Sequence, residues 1–235
     1  ERTRVTKILA ITLARGGSKK IKNKNIVLLN KKPLIYYTIK EAKKSKWITD
    51  YIVSTDSLKI SKISKKYGAE VPFLRPKSLS RDKSKSIDAL LHALKFMEKL
   101  KGYKYDFIIE LMATNPLKTF KDIDNIISIM VRKKSDSVIA VHRLFDQHPA
   151  RIKKIVKNKL VDFNFKEPLE SRRQDLKPHA FIRSGSIYGM SRKFLNKKLR
   201  FKSKISVPYI LDPNKVINID EPKDLLLAKS ILNEK

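Results

Sequence analysis

The sequence predicts an α/β fold with a parallel sheet and crossover helices. Three observations carry this. Short apolar runs of strand length alternate with amphipathic runs of helical period for most of the chain. Helix ends carry their usual punctuation, as at Gly68. No internal repeat or low-complexity linker interrupts the alternation.

Ile8 to Ala14 reads as the first strand and breaks at Arg15-Gly16-Gly17-Ser18. Leu34 to Lys46 places Leu34, Ile35, Thr38, Ile39 and Ala42 on one helical face, with Pro33 at a favourable first-turn position. Tyr51 to Ser54 is a buried strand, Leu58 to Tyr67 a helix closed by Gly68, and Val71 to Leu74 a short strand running into Arg75-Pro76. Ser86 to Leu100 is strongly amphipathic through Ile87, Leu90, Leu91, Leu94 and Met97. Phe107 to Met112 is a strand, Thr119 to Val131 a helix, and Ser137 to Val141 a central strand. From about 143 to 177 the pattern turns irregular and polar, with alternation in Arg151 to Val156 and Lys159 to Phe165 that predicts a hairpin. Strand character resumes at Ser186 to Met190, and Asp224 to Leu232 closes the chain as a helix.

The chain of 235 residues is long enough for one domain, 1–235, with the irregular stretch as an inserted arm. A hydrophobic fraction of 41% is ordinary for a globular protein, and no apolar run approaches the roughly 20 residues of a membrane helix. Glu1 to Lys7 lacks the succession of a signal peptide, and without cysteine there are no disulfides or thiolate metal sites, so the expected location is cytoplasmic. The net charge of +31 raises nucleic-acid binding as a class. Lysine is spread over every segment and far outnumbers arginine, which reads as compositional bias rather than a phosphate-reading face. Such a surface still attracts anionic substrates.

Leu13 to Asn25 leads the chain out of the first strand. Glycines there let the backbone approach an anion, and Arg15, Lys19 and Lys24 offer charge-assisted bonds to a polyphosphate. The segment has neither the Gly-Lys-Ser/Thr ending of a P-loop nor the three-glycine spacing of a dinucleotide fold, and an ordinary turn in a lysine-rich chain reads equally well.

Taken with the rest of the chain, this loop resembles that of the CMP-sialic acid synthetase family of sugar nucleotidyltransferases, whose relatives act on 3-deoxy-octulosonate, legionaminate and pseudaminate. Arg15 to Asn25 looks like the family's L-A-R-x-x-S-K-x-x-x-x-K-N loop, Ile52 to Asp56 like its V-S-T-D strand end, and Leu74-Arg75-Pro76 like its R-P. Asp82 to Ser86, Thr114 to Thr119, His148-Pro149, Arg173-Gln174, Gly185 to Tyr188 and Ile219-Asp220 come next in the family's order, so that the match runs from about residue 8 to the end. The resemblance implies a mostly parallel Rossmann-like sheet with helices on both faces and a small dimerisation arm. The implied activity is cytidylyl transfer from CTP to a nonulosonic, sialic-acid-like acidic keto-sugar in a magnesium-dependent homodimer, without nucleic-acid or membrane partners.

By the same resemblance, Arg15, Lys19 and Lys24 hold the triphosphate, and Asn25, Arg75, Ser84 and Ser86 serve the nucleotide. Asn25 alternatively shapes a turn, and Ser86 alternatively caps the helix beginning at Ile87. Asp220 and Asn218 stand at the metal position, where relatives usually carry two aspartates; Asp220 is alternatively a cap for the last helix. Met112, Arg151, Arg173, Ser184 and Tyr188 stand at the sugar side. Met112 replaces a family glutamine and Ser184 an asparagine, which suits a deoxygenated or differently acylated sugar such as legionaminate. A 3-deoxy-octulosonate enzyme and a degenerate basic binding protein are the alternatives. No histidine among His92, His142, His148 and His179 offers itself as a general base: His92 reads as structural and His148 as shaping the arm.

Overall fold

A computed structural model describes residues 5–169, 172–202 and 204–233. Six strands form the main sheet: β1 (Ile8–Leu13), β4 (Asp50–Ser54), β5 (Phe107–Leu111), β6 (Ser137–Leu144), β9 (Ala180–Ser191) and β10 (Val207–Ile210). Two short pairs lie outside it, β2 (Leu28–Leu29) with β3 (Lys32–Pro33), and β7 (Lys153–Val156) with β8 (Lys159–Asp162). The helices are α1 (Leu34–Lys44), α2 (Leu58–Lys66), α3 (Ser86–Lys101), α4 (Phe120–Lys133), α5 (Arg192–Asn196) and α6 (Pro222–Asn233).

The sheet order is β10-β6-β9-β5-β1-β4. β1 runs parallel to both β4 and β5, and β10 parallel to β6, while β9 runs antiparallel to β5 and β6. The chain winds from β1 outward to β4, then crosses to the other side of β1 to make β5. A crevice therefore opens at the C-terminal ends of β1 and β5, where the winding direction reverses. β9 breaks register between Ile139 and Val141 of its neighbour β6, and Gly185 takes φ +66° within that irregularity. A left-handed turn of this kind suits glycine.

Alternate residues of the strands feed two cores, as period 2 requires. Ala10, Val53, Ile109 and Val138 meet α1, α2 and α4 on one face. Leu9, Ile11, Ile52 and Ile108 meet Leu90, Ala93, Leu94 and Met97 of α3 on the other. α6 covers a third cluster through Ala228, with Leu29, Leu34, Leu117 and Ile219. Each long helix thus buries the face that its sequence period marks. α4 starts in a capping box between Thr119 and Asp122. No helix among the described residues is long and apolar enough to cross a membrane.

Two sequence-based assignments change. Val71 to Leu74 is not a strand: Pro72 within the run cannot donate to a ladder, and only isolated bridges form, Ile52 with Glu70 and Thr55 with Leu74. The resumed strand starts earlier than Ser186: β9 spans Ala180–Ser191, and its first part, with Phe181 and Ile182 exposed, lacks the continuous burial of the second. The arm carries the expected hairpin, β7 paired with β8, and its Ile155 and Leu160 are exposed.

At the opposite edge of the sheet from the crevice, buried Asp50 ties β4 to the chain after α3. It accepts from the Tyr103 hydroxyl, from the Tyr105 hydroxyl at 2.7 Å, and pairs with Lys101 at 3.0 Å. Burial acts to raise its pKa, but these bonds outweigh burial and hold the carboxyl below the ordinary range. A folded-state pKa below the unfolded one gives stability that is present above the unfolded value and is lost as pH falls through the folded one. Urea unfolding should therefore show stability falling below about pH 4, with a shallower acid dependence in Asp50→Asn. At neutral pH that variant should be about 2–4 kcal/mol less stable than the wild type.

Candidate active site

A cavity of about 530 Å³ occupies the crevice at the ends of β1 and β5. Seven cationic side chains line it, Arg15, Lys19, Lys20, Lys24, Arg75, Arg81 and Lys85, against the acidic Asp82, Glu110 and Asp220. Such an excess of positive charge in a concave site selects an anionic ligand.

The loop after β1 is fixed by local bonds. Ala14 N–H donates to Ser54 O at 2.9 Å, Gly16 N–H to the Asp56 carboxylate at 2.9 Å, and the buried Asn25 amide to Arg15 O at 3.0 Å. Asn25 thus shapes the loop as well as lining the cavity. Gly16 lies tight against Ser57, where an added Cβ would sit 3.1 Å from Ser57 Cβ, whereas Gly17 faces open space. The loop therefore needs one glycine for close approach to β4's continuation and leaves the other side clear.

The three loop cations divide between two acidic partners. Asp82 bridges Arg15 at 2.8 Å and Lys19 at 2.5 Å, while Asp220 takes Lys24 at 2.7 Å. The cations hold Asp82 below the ordinary carboxylate range, with Lys19 contributing most. Arg75 is different. It is buried, its Nε donates to Ser80 Oγ at 3.0 Å, and its backbone N–H donates to Thr55 O at 2.7 Å. Burial and the charge of Arg15 work against its ionisation, and Asp56 supports it. Ser84 braces the same segment, donating to Ser78 O at 2.9 Å and accepting from Arg81 N–H at 3.0 Å.

Ser86 lines the cavity as the first residue of α3, the expected start; it is not the cap before Ile87 that the alternative reading made it, and no side-chain bond caps the helix. Asp220 does not cap α6 either. Asp224, in the first turn of α6, reaches back instead, its carboxylate accepting from the backbone N–H of Asp220 at 2.9 Å and of Glu221 at 2.8 Å. The Asp220 side chain is left to face Lys24 and Asn218, whose amide donates to it at 2.6 Å. Among the described residues no three histidine, cysteine, aspartate or glutamate side chains form a preformed metal cage. A single carboxylate beside a cationic loop fits a hard ion such as Mg²⁺ only in the manner in which substrate phosphates supply further ligands.

The sugar-side candidates separate. Met112 lines the cavity. Ser184 is buried in the β6–β9 irregularity, donating to Ala140 O at 3.0 Å and sharing a bond with Ser186 Oγ at 2.6 Å, outside the cavity lining. Tyr188 is buried beneath the Arg200 guanidinium, 4.0 Å from its ring centroid. Arg151 and Arg173 lie in the arm with Asp146, at 3.9 and 3.1 Å, and do not line the cavity. His92 packs edge-on against Phe73 at 4.7 Å, and His148 accepts from Ala150 N–H while its Nε2 meets Pro178 O at 2.8 Å.

Sequence reasoning passed over four residues. Asp56, the end of the V-S-T-D segment, anchors the loop through Gly16. Glu110 lines the cavity while 1% exposed and paired to Arg200 at 2.6 Å; a lone acid inside an apolar strand was the available signal. Arg200 itself carries no local signal, being 90 residues away in sequence. Lys118 is buried, and its ammonium donates to Thr38 Oγ1, Met112 O and Asn115 O at 2.8, 2.6 and 2.5 Å. Burial pulls its pKa down to about 7, and the negative charges of Glu41 and Asp122 oppose that effect. The three ammonium bonds clamp α1 to the turn that carries Met112 and Thr114 into the cavity wall.

A family model described as Cytidylyltransferase matches residues 9–206. The pseudaminic acid cytidylyltransferase of Campylobacter jejuni subsp. jejuni serotype O:23/36 (strain 81-176) is 34% identical to the chain, over 95% of each protein. The post-translational flagellin modification protein B of Campylobacter coli is 30% identical, over 98% of this chain and 97% of its own. Among solved structures, CMP:2-keto-3-deoxy-manno-octonic acid synthetase complexed with CTP superposes with a TM-score of 0.72 at 16% identity, over 97% of this chain and 99% of that one. The last similarity bears on the fold.

Lys118→Met would keep the volume of the side chain and strip the donor from Thr38, Met112 and Asn115. Urea unfolding should show a loss of about 2–4 kcal/mol, the cost of leaving buried acceptors unpaired.

Proposed function

Because the chain belongs to the cytidylyltransferase family, we propose that it transfers the cytidylyl group of CTP to a nonulosonic, sialic-acid-like sugar, giving a CMP-sugar and pyrophosphate. The observation that carries this reading is the cation-lined cavity at the reversal of the sheet, with Arg15, Lys19 and Lys24 gathered on one loop. The sugar's anomeric hydroxyl attacks the α-phosphate in line as pyrophosphate leaves. Nucleotidyl transfer of this kind needs positioning and charge neutralisation above all.

Arg15 and Lys19 exchange Asp82 for the triphosphate, and Lys24 gives up Asp220 in the same way. Asp220 so released would hold Mg²⁺, with Asn218 orienting its carboxylate. The ion supplies charge neutralisation on the phosphates when bound. Asn25, Arg75, Ser84 and Ser86, all of which line the cavity, shape the nucleotide end.

For the acceptor, a relative named for pseudaminic acid and a thioether at Met112 both favour a sugar with deoxygenated, acylated positions over N-acetylneuraminate. The arm, about 143–177, mediates a homodimer on this reading, and Arg151 and Arg173 serve the neighbour's cavity. Phe163 and Phe165 in the arm are half exposed, at 50% and 54%, and a subunit contact would cover them.

Pyrophosphate release should be measured with CTP, Mg²⁺ and a panel of pseudaminate, legionaminate, N-acetylneuraminate and 3-deoxy-octulosonate. Turnover of a nonulosonate is expected, falling by at least about 10²-fold in Arg15→Ala and ceasing with EDTA. Turnover restricted to 3-deoxy-octulosonate would refute the sugar assignment. Light scattering should give the mass of a dimer, and Phe163→Ser/Phe165→Ser should shift it toward the monomer.

A further inference from the structure

The cavity wall beside Met112 contains a carboxylate that nothing in the phosphate machinery uses. Glu110 stands near the end of β5 in an otherwise apolar run, Phe-Ile-Ile-Glu-Leu, and is 1% exposed. Arg200 delivers both of its bonds to one oxygen, Oε2, from Nε at 2.6 Å and from Nη2 at 2.6 Å. No described residue donates to the other oxygen, Oε1.

Arg200 is itself held from several sides. Its guanidinium covers the Tyr188 ring at 4.0 Å, and Nη2 reaches Met112 Sδ at 3.6 Å. Glu110 and Met112 both line the cavity. Burial raises the Glu110 pKa and Arg200 opposes that effect.

A buried ion pair is often no better for stability than apolar side chains of the same volume, and Glu110, which lines the cavity, has its Oε1 open to a ligand there. A charged pair kept at this point of an apolar strand, with one oxygen satisfied and the other not, fits a donor that arrives with the ligand. We propose that Glu110 is a specificity-determining residue for the acceptor: Oε1 accepts a hydrogen bond from a hydroxyl or acylamino N–H of the sugar, and Arg200 is the positioning residue that fixes the carboxylate. Met112, capped by the same guanidinium, supplies the apolar surface beside that donor. The chemistry selected is a polar donor next to an apolar substituent, as in an acylamino sugar with a deoxygenated neighbour.

The inference rests on the cytidylyltransferase reading above, and kinetics of the full chain separate the two. Steady-state pyrophosphate release with CTP and Mg²⁺ would compare the wild type, Glu110→Gln and the double variant Glu110→Gln/Arg200→Gln, the last avoiding an unpaired buried cation. KM for the sugar should rise about 10- to 100-fold in both, while KM for CTP stays within about two-fold, a margin well below one hydrogen bond. A rise confined to acylamino sugars identifies the N–H as donor, and an equal rise with 3-deoxy-octulosonate identifies a hydroxyl. An unchanged sugar KM in both variants, or a CTP KM that rises as much as the sugar's, overturns the assignment. Absence of turnover by the wild type with every sugar overturns the parent reading and this one with it.

Discussion

The reversal of winding at β1 is the constraint on which the rest of the molecule depends. Because β4 and β5 flank β1 and all run parallel, the loops after them leave the sheet from the same edge and diverge. A gap at that edge is geometrically required, and only loop residues can fill it. The loop after β1 brings cations, the chain after β4 brings Asp56, and the turn after β5 brings Met112 and Thr114. Segments distant in sequence then close the sides, the approach to α3 with Asp82 and the approach to α6 with Asp220.

The cations in that gap are of two kinds. Arg15 and Lys19 are partly or largely exposed and share Asp82, itself 45% exposed. Exposed pairs of this sort contribute little to stability and are screened by salt, so a polyvalent anion displaces the carboxylate at small cost. Arg75 is the opposite case, buried and bonded through both side chain and backbone. Exchangeable cations suit phosphates that arrive and leave, whereas a fixed one suits a wall. Asp82 and Asp220 thus keep a highly charged loop ordered between ligands without competing strongly for it.

Much of this was legible in the sequence, and the reason is periodicity. α1, α2, α3 and α4 each bury one face, and β1, β4 and β5 are short apolar runs, so local pattern and tertiary role agree. The loop cations were legible because charge is concentrated next to glycines at a strand end. Features set by distant partners were not. The antiparallel direction of β9 is set by the path of the arm, and Ser184, read as a sugar contact, is drawn into the β6–β9 irregularity by Ala140 and Ser186. The Glu110–Arg200 pair spans 90 residues, and the burial of Lys118 depends on Thr38, 80 residues away, so neither shows in local sequence.

Asn218, which stands where the resemblance leads to an expected second aspartate, is best understood through its neighbours. Two carboxylates spaced by one residue repel each other unless a cation lies between them. Here Asn218 supplies a donor to Asp220 at 2.6 Å, Lys24 supplies the charge at 2.7 Å, and the side chain of Asn218 rests against Gly185, whose missing Cβ would lie 3.8 Å from Asn218 Cγ. The acidic corner is therefore ordered by one hydrogen bond and one ion pair. A single negative charge there binds a divalent cation weakly by itself, and the phosphates that such an ion prefers as co-ligands are those the adjacent loop is charged to hold. On the proposed function this couples the two events: the ion is retained when nucleotide is present, and Lys24, freed from Asp220, turns to the same phosphates.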